Sequence, residues 1–213
     1  MHPLGRAGFQ AATGVSRETL DRLQAYEDLL QKWQPRINLV GSSTLDDPWR
    51  RHFLDSAQLQ SVIPVGATRL VDFGSGAGFP GLVLAILTRL EVHLIESDTR
   101  KIAFLREAAR ITAAQVVLHH GRIEAMEPFP VDVVTARATA SLKVLLGYTQ
   151  PYLGRSDQRT FRCLFLKGRE VERELTEAKK LWKMRVTRIA SSAGAEGVIL
   201  ILEDLHRGDQ HPD

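Results

Sequence analysis

Four glycines in eight residues, Gly74, Gly76, Gly78 and Gly81, stand directly after the apolar run Leu70, Val71 and Phe73. Backbone without side chains lets a ligand come close, and the first turn of a following helix offers unpaired N–H donors. Pro80 sits where that helix begins, a place that tolerates its missing N–H. The stretch therefore reads as a cradle for a nucleotide-like ligand. Glu96 follows Gly76 by 20 residues and closes the next apolar run, the position of a carboxylate that grips ribose hydroxyls. Arg137 ends another run, Val131, Val133 and Val134, so it emerges beside the glycine turn. A guanidinium there can make planar, paired contacts that a lysine cannot copy. His52 and Asp55, three apart on an expected helix, share a face. They either orient a polyanionic substrate, act as an acid/base pair, or fix helix packing. Lys167-Gly168 closes a further strand and is placed to meet a phosphate. Cys163, among Phe161, Leu164 and Phe165, reads as buried rather than reactive.

The elements that must position these residues alternate. Ser16 is a plausible N-cap for an amphipathic helix carrying Leu20, Leu23, Tyr26, Leu30 and Trp33, ended by Pro35. A second helix is expected from about Asp46 to Val62. Strands are expected at Arg69–Phe73, Val92–Glu96, Val116–His119, Val131–Ala136 and about Phe161–Leu166, with helices between them to about Arg89 and at Thr99–Thr112 and Leu142–Tyr152. A charged helix spans about Val171–Trp182. Val186–Ile189 and Val198–Leu202 lie too close for a helical crossover and should form an antiparallel hairpin. Parallel strands closed by one edge hairpin are the arrangement of a Rossmann-like, seven-stranded S-adenosylmethionine (SAM)-dependent methyltransferase sheet, here preceded by a small N-terminal helical layer. The expected division is a flexible tail over 1–15, the helical layer over 16–66, the α/β domain over 67–205 and a second tail over 206–213.

The chain has 213 residues, 44% hydrophobic and 25% charged, which suits a soluble domain with a sizeable core. One cysteine excludes a disulfide framework or cysteine-rich zinc site and fits the reducing cytoplasm. Neither a secretory signal nor a membrane-spanning run is apparent. The net charge of +3 is uneven: Ala136 to Arg188 holds thirteen Lys/Arg against five Asp/Glu. That excess points to a polyanion such as RNA, or to solvated helix faces.

Gly76-Ala77-Gly78-Phe79-Pro80-Gly81 satisfies the dinucleotide pattern G-x-G-x-x-G, and Gly74-Ser75-Gly76-Ala77-Gly78 after Asp72 satisfies the SAM pattern equally well, so spacing leaves NAD and SAM open. The ordered set of segments decides more. Leu30-Gln31-Lys32-Trp33, Ile37-Asn38-Leu39-Val40, Arg51-His52-Phe53-Leu54-Asp55-Ser56, Asp72 to Gly81, Leu94-Ile95-Glu96-Ser97, Arg122-Ile123-Glu124, Asp132 to Ala138 and Leu166-Lys167-Gly168 together resemble the RsmG (GidB) family. That family comprises bacterial methyltransferases that make N7-methylguanosine in 16S ribosomal RNA. Two departures stand out: Glu96 where the family more often has Asp, and Gln34-Pro35 where it has an Asn and a polar residue. The resemblance implies SAM as cofactor and 16S rRNA of the small subunit as partner. It implies that Gly74, Gly76, Gly78 and Phe79 line the cofactor site with Glu96 on the ribose. Ile123 and Glu124 then sit beside the adenine, and Arg137 faces the methyl-transfer centre, positioning substrate with no general base. His52, Asp55 and Lys167 remain candidates for substrate binding. A cytoplasmic monomer without metal is expected.

Absent signatures agree. Strand 4 ends Thr135-Ala136-Arg137-Ala138, without the Asn/Asp-Pro-Pro-aromatic segment of exocyclic-amine methylation, and no Pro-Cys nucleophile is present. Guanine N7 carries an in-plane lone pair and no proton, so it needs neither. Two other classes remain as expectations to be tested: an NAD-dependent oxidoreductase, and a non-catalytic RNA-binding or ribosome assembly factor.

Overall fold

The computed structural model describes residues 2–155 and 161–208. Its centre is a seven-stranded sheet in the order β3-β2-β1-β4-β5-β7-β6. The strands are β1 (Arg69–Phe73), β2 (Glu91–Glu96), β3 (Val116–His120), β4 (Val133–Arg137), β5 (Arg162–Lys167), β6 (Trp182–Ala190) and β7 (Val198–Arg207). β1 to β5 pair in parallel, whereas β7 runs antiparallel to β5 and to β6. The chain winds outward from β1 to β3, then returns to start β4 on the other side of β1. That reversal opens a crevice at the carboxyl ends of β1 and β4, where open α/β sheets take ligands.

Alternation along the strands fills two cores. Leu70, Leu94, Leu164 and Ile201 face one side, while Val71, Phe73, Cys163, Phe165 and Leu202 face the other. On the first side lie α1 (Gly5–Thr13), α2 (Arg17–Trp33), α4 (Gly81–Leu87) and α5 (Thr99–Thr112); α6 (Leu142–Thr149) and α7 (Val171–Lys179) cover the second. α2 begins where Ser16 accepts the Thr19 N–H, and α5 where Asp98 caps Arg100 and Lys101. No helix among the described residues is long and apolar enough to cross a membrane.

Three expectations need correction. The described residues of the expected 1–15 tail are not loose: α1 buries Phe9 completely, with its ring 5.3 Å from Trp49, and the Leu4 N–H binds Asp47 at 2.9 Å. One aromatic ring in a small, polar stretch suffices to dock this helix, because the pocket beside Trp49 comes from a distant segment. The expected helix over 46–62 is instead a π-helical turn (Trp49–Leu54), one α-turn, α3 (Asp55–Ala57), and a 3₁₀ turn (Gln58–Val62). At the other end, His206 and Arg207 of the expected 206–213 tail belong to β7, and 209–213 lie outside the described residues.

Candidate active site

The glycine turn after β1 forms one wall of a cavity of about 570 Å³. Gly74, Gly76 and Gly78 all have positive φ, which a β-carbon disfavours. The three serve different ends. A β-carbon on Gly76 would have only the Gly74 carbonyl near it, at 3.8 Å, so this position opens onto the cavity. On Gly74 it would strike Thr139, and on Gly78 it would come within 2.5 Å of the Tyr26 hydroxyl. Gly78 thus makes room for packing and does not line the cavity. Glu96, from the end of β2, lies across the turn: one carboxylate oxygen accepts the Gly76 N–H and the other the Asp98 N–H, both at 2.8 Å.

The opposite wall comes from the π-turn and from the residues following β4. Burial, reinforced by Arg137 and Arg51, holds the His52 imidazole near a pKa of about 3, so it is neutral at pH 7. Its Nε2 lies 2.8 Å from the Thr44 hydroxyl, which already donates to the Gly41 carbonyl. The network therefore assigns the proton to Nε2, leaving Nδ1 as a buried acceptor with no partner among the described residues. The His52 ring also stacks on Phe79, centroids 4.9 Å apart. Arg137 lies over the same Phe79 ring at 4.9 Å, donates to the Arg51 carbonyl at 3.1 Å and stands 3.6 Å from Asp55. Burial lowers its pKa, but a guanidinium stays charged. Burial also raises the Asp55 carboxyl against the pull of Arg137. Ala138, at φ +52, then turns the chain so that the Thr139 hydroxyl reaches the Phe73 carbonyl at 2.9 Å.

Arg51, Asp55, Arg137, Ala138 and Thr139 also line a second cavity of about 870 Å³. Its far side is the start of α7 and the β6–β7 loop, where Ser191 donates to Asp55 at 2.9 Å. Lys167 lies on this wall, its ammonium donating to the Ala140 carbonyl at 2.8 Å and to Glu174 at 2.7 Å.

Of the expected site residues, Gly74, Gly76, Phe79, Glu96, His52, Asp55 and Arg137 come together around the first cavity. His52 and Asp55 do not act on one another: a π-turn moves residues three apart off a common face, and each turns to its own partners. Ile123 and Glu124 occupy a 3₁₀ turn after β3, outside that cavity's wall. Sequence reasoning missed Tyr26, Thr139 and Ser191. Tyr26, fully buried on α2, hydrogen-bonds the Ala77 carbonyl and stacks on Phe79 at 5.1 Å. In the sequence it is one more apolar-stripe residue, and nothing local signals its destination.

Comparison with known proteins decides the family. Residues 19–198 match the model of the family described as "rRNA small subunit methyltransferase G". A protein named ribosomal RNA small subunit methyltransferase G from Rhodospirillum rubrum is 57% identical over 199 residues, 93% of this chain and 97% of that one. One of the same name from Paramagnetospirillum magneticum is 54% identical over 209 residues, covering 98% and 100%. The chain belongs to the rRNA small subunit methyltransferase G family. Among solved structures, a ribosomal protein L11 methylase from Lactobacillus delbrueckii subsp. bulgaricus aligns at TM-score 0.54 and 15% identity over 70% of this chain and 76% of that one. A glycopeptide N-methyltransferase complexed with SAM aligns at TM-score 0.56 and 11% identity, covering 71% and 93%. These two show the shared fold.

Membership in the methyltransferase G family makes the chain a SAM-dependent methyltransferase, and the NAD-dependent and non-catalytic readings are not favoured. The matched span contains every residue named on the two cavity walls and leaves out α1. The residues present fit SAM: Gly76 leaves room at the turn, and His52 Nδ1 is an unsatisfied buried acceptor suited to an ammonium or hydroxyl donor.

Proposed function

We propose that this chain methylates N7 of a specific guanosine in the 16S rRNA of the small ribosomal subunit, as a cytoplasmic monomer that uses no metal. The observation that carries this reading is the strip shared by the two cavities, with Arg137, Asp55 and Thr139 between them. A cofactor in the smaller cavity and a base in the larger one meet at that strip. SAM, when bound, supplies a methyl group on a positively charged sulfur.

The chain's own residues hold and orient. Gly74, Gly76 and Phe79 bound the cofactor space, and the Glu96 carboxylate, while tying down the turn, keeps lone pairs for ribose hydroxyls. Ile123 and Glu124 follow Gly121, whose N–H binds the Glu96 carbonyl at 3.0 Å, on the side expected for the adenine. Lys167 and Arg51 offer charge to RNA phosphates. Nothing at the strip is poised as a general base: burial makes His52 a weak base, with a pKa of about 3, and the open Asp55 oxygen faces the Arg137 guanidinium. Guanine N7 needs no base, so alignment of acceptor and methyl supplies much of the rate effect. The test is incorporation of labelled methyl from SAM into small-subunit rRNA by the purified protein, followed by nucleoside analysis. Label in N7-methylguanosine is expected; label in any other nucleoside would refute the reading.

A further inference from the structure

Guanine and adenine present the same N7, so the methyl-accepting atom does not choose between them. The choice has to be made at neighbouring atoms. Next to N7 guanine carries the acceptor O6 and then the donor N1–H, whereas adenine carries an amino donor and then an N1 acceptor.

In the strip shared by the cavities, a donor and an acceptor stand side by side. Arg137 NH1 and Asp55 Oδ2 are 3.6 Å apart, longer than the roughly 2.8 Å of a closed charge-assisted bond. Asp55 is held from behind: Oδ1 accepts from the Ser191 hydroxyl and from the Gln58 amide, both at 2.9 Å. Oδ2 is left to Arg137 and the cavity. Arg137 is in turn fixed by the Arg51 carbonyl and the Phe79 ring. Only about a sixth of either side chain is exposed, at 17% each, so a base that enters meets both groups largely stripped of water.

We propose that Arg137 and Asp55 together read the edge of the target base, the guanidinium donating to O6 and Asp55 Oδ2 accepting from N1–H. This rests on guanine N7 being the methyl acceptor. Adenine sets its amino group against the guanidinium and its N1 lone pair against the carboxylate. Donor then faces donor and lone pair faces lone pair in a largely dry site, a mismatch of the kind that separates substrates by about 10⁴-fold. The reader joins three distant pieces of chain: the π-turn and α3, the end of β4 and the β6–β7 loop.

The experiment uses 16S rRNA assembled by ligation so that the methylated guanosine is replaced by inosine, 1-methylguanosine or adenosine. Inosine keeps N7, O6 and N1–H, and its kcat/KM should stay within about fivefold of guanosine. 1-Methylguanosine, which keeps N7 and O6 but lacks N1–H, and adenosine should each fall by about 100-fold or more, with SAM affinity unchanged. Asp55→Asn puts an amide donor where Oδ2 stood. It should narrow the guanosine-over-adenosine preference at least about tenfold while SAM affinity stays within about threefold. A merely structural Asp55 would not move that ratio. Methylation of 1-methylguanosine at N7 at the guanosine rate would overturn the edge reader alone. Methylation of the guanosine control at another atom would instead overturn the N7 reading beneath it.

Discussion

Gly74 and Gly76 look interchangeable in the sequence, yet only at Gly76 does an added β-carbon project into open cavity. Gly76→Ala strains a positive-φ position by about 1 kcal/mol, so the protein should stay folded while SAM affinity falls at least about tenfold. Calorimetry on the folded variant checks this, and unchanged affinity would move the cofactor away from the turn. Gly74→Val would mix that effect with a collision against Thr139. Arg137 is held by shape as well as charge, over Phe79 and against the Arg51 carbonyl. Arg137→Lys should therefore keep the fold and lose most methyl transfer, about 100-fold in kcat/KM, despite unchanged net charge. Loss in SAM affinity would make it mainly a cofactor residue; loss in turnover alone would make it a base-positioning one. Near-normal activity would show that charge alone suffices.

Among the elements, β1 is where chemistry and packing meet most tightly. Asp72 is fully buried in β1, opposite Thr135 of β4, whose hydroxyl donates to it at 2.7 Å. Burial raises its pKa from 3.8 to about 6. A carboxyl whose folded pKa is raised binds its proton more tightly in the folded state. Its contribution to stability is therefore greatest at low pH and is lost as pH rises through about 6, by up to roughly 3 kcal/mol. His52 works in the opposite sense: its folded pKa of about 3, against 6.5, removes stability as pH falls below 6.5. That term is common to wild type and an Asp72 variant and cancels in their difference. Between pH 4 and pH 7, Asp72→Asn should gain on wild type by about 2 kcal/mol in denaturant unfolding. A difference independent of pH would place the titration elsewhere. The strands were the most legible elements, because runs such as Leu70-Val71 and Phe165-Leu166 have little choice but burial in a sheet. The segment over 46–62 was not: its π-turn is set by Trp49 and Phe53 packing on Phe9 and Tyr26, which no local pattern records.

Taken as a whole, the molecule spreads its charge differently from the way the sequence suggests. Much of the basic excess between Ala136 and Arg188 is spent in ion pairs, such as Lys180 with Glu177, Arg185 with Glu203 and Asp204, and Arg188 with Glu172. Lys179 and Lys180 lie at the far end of α7, about 12 Å along the helix from the Glu170 and Glu174 end that borders the larger cavity. Lys179, Lys180 and Lys183 replaced together by Ala should change rRNA affinity by less than about threefold. Arg51→Ala, on the wall shared by both cavities, should weaken it several-fold and reduce the salt slope by about 1. The reverse ranking would put the RNA on the α7 face. The sequence showed that a glycine turn, an acidic strand end and an arginine would share one edge, since parallel strands bring their carboxyl ends together. It did not show that the β6–β7 loop reaches back to Asp55, because Ser191 and Asp55 lie 136 residues apart and meet only through the edge hairpin.

Methyl transfer to one guanine N7 in small-subunit rRNA is tested most directly by mapping that modification in RNA from cells with and without this protein. Reduction followed by aniline cleavage breaks the chain at N7-methylguanosine. The expected result is one cleavage in 16S rRNA that disappears when the protein is absent, returns with the wild-type chain and does not return with Arg137→Lys. An unchanged cleavage pattern in 16S rRNA from cells lacking the protein would contradict it.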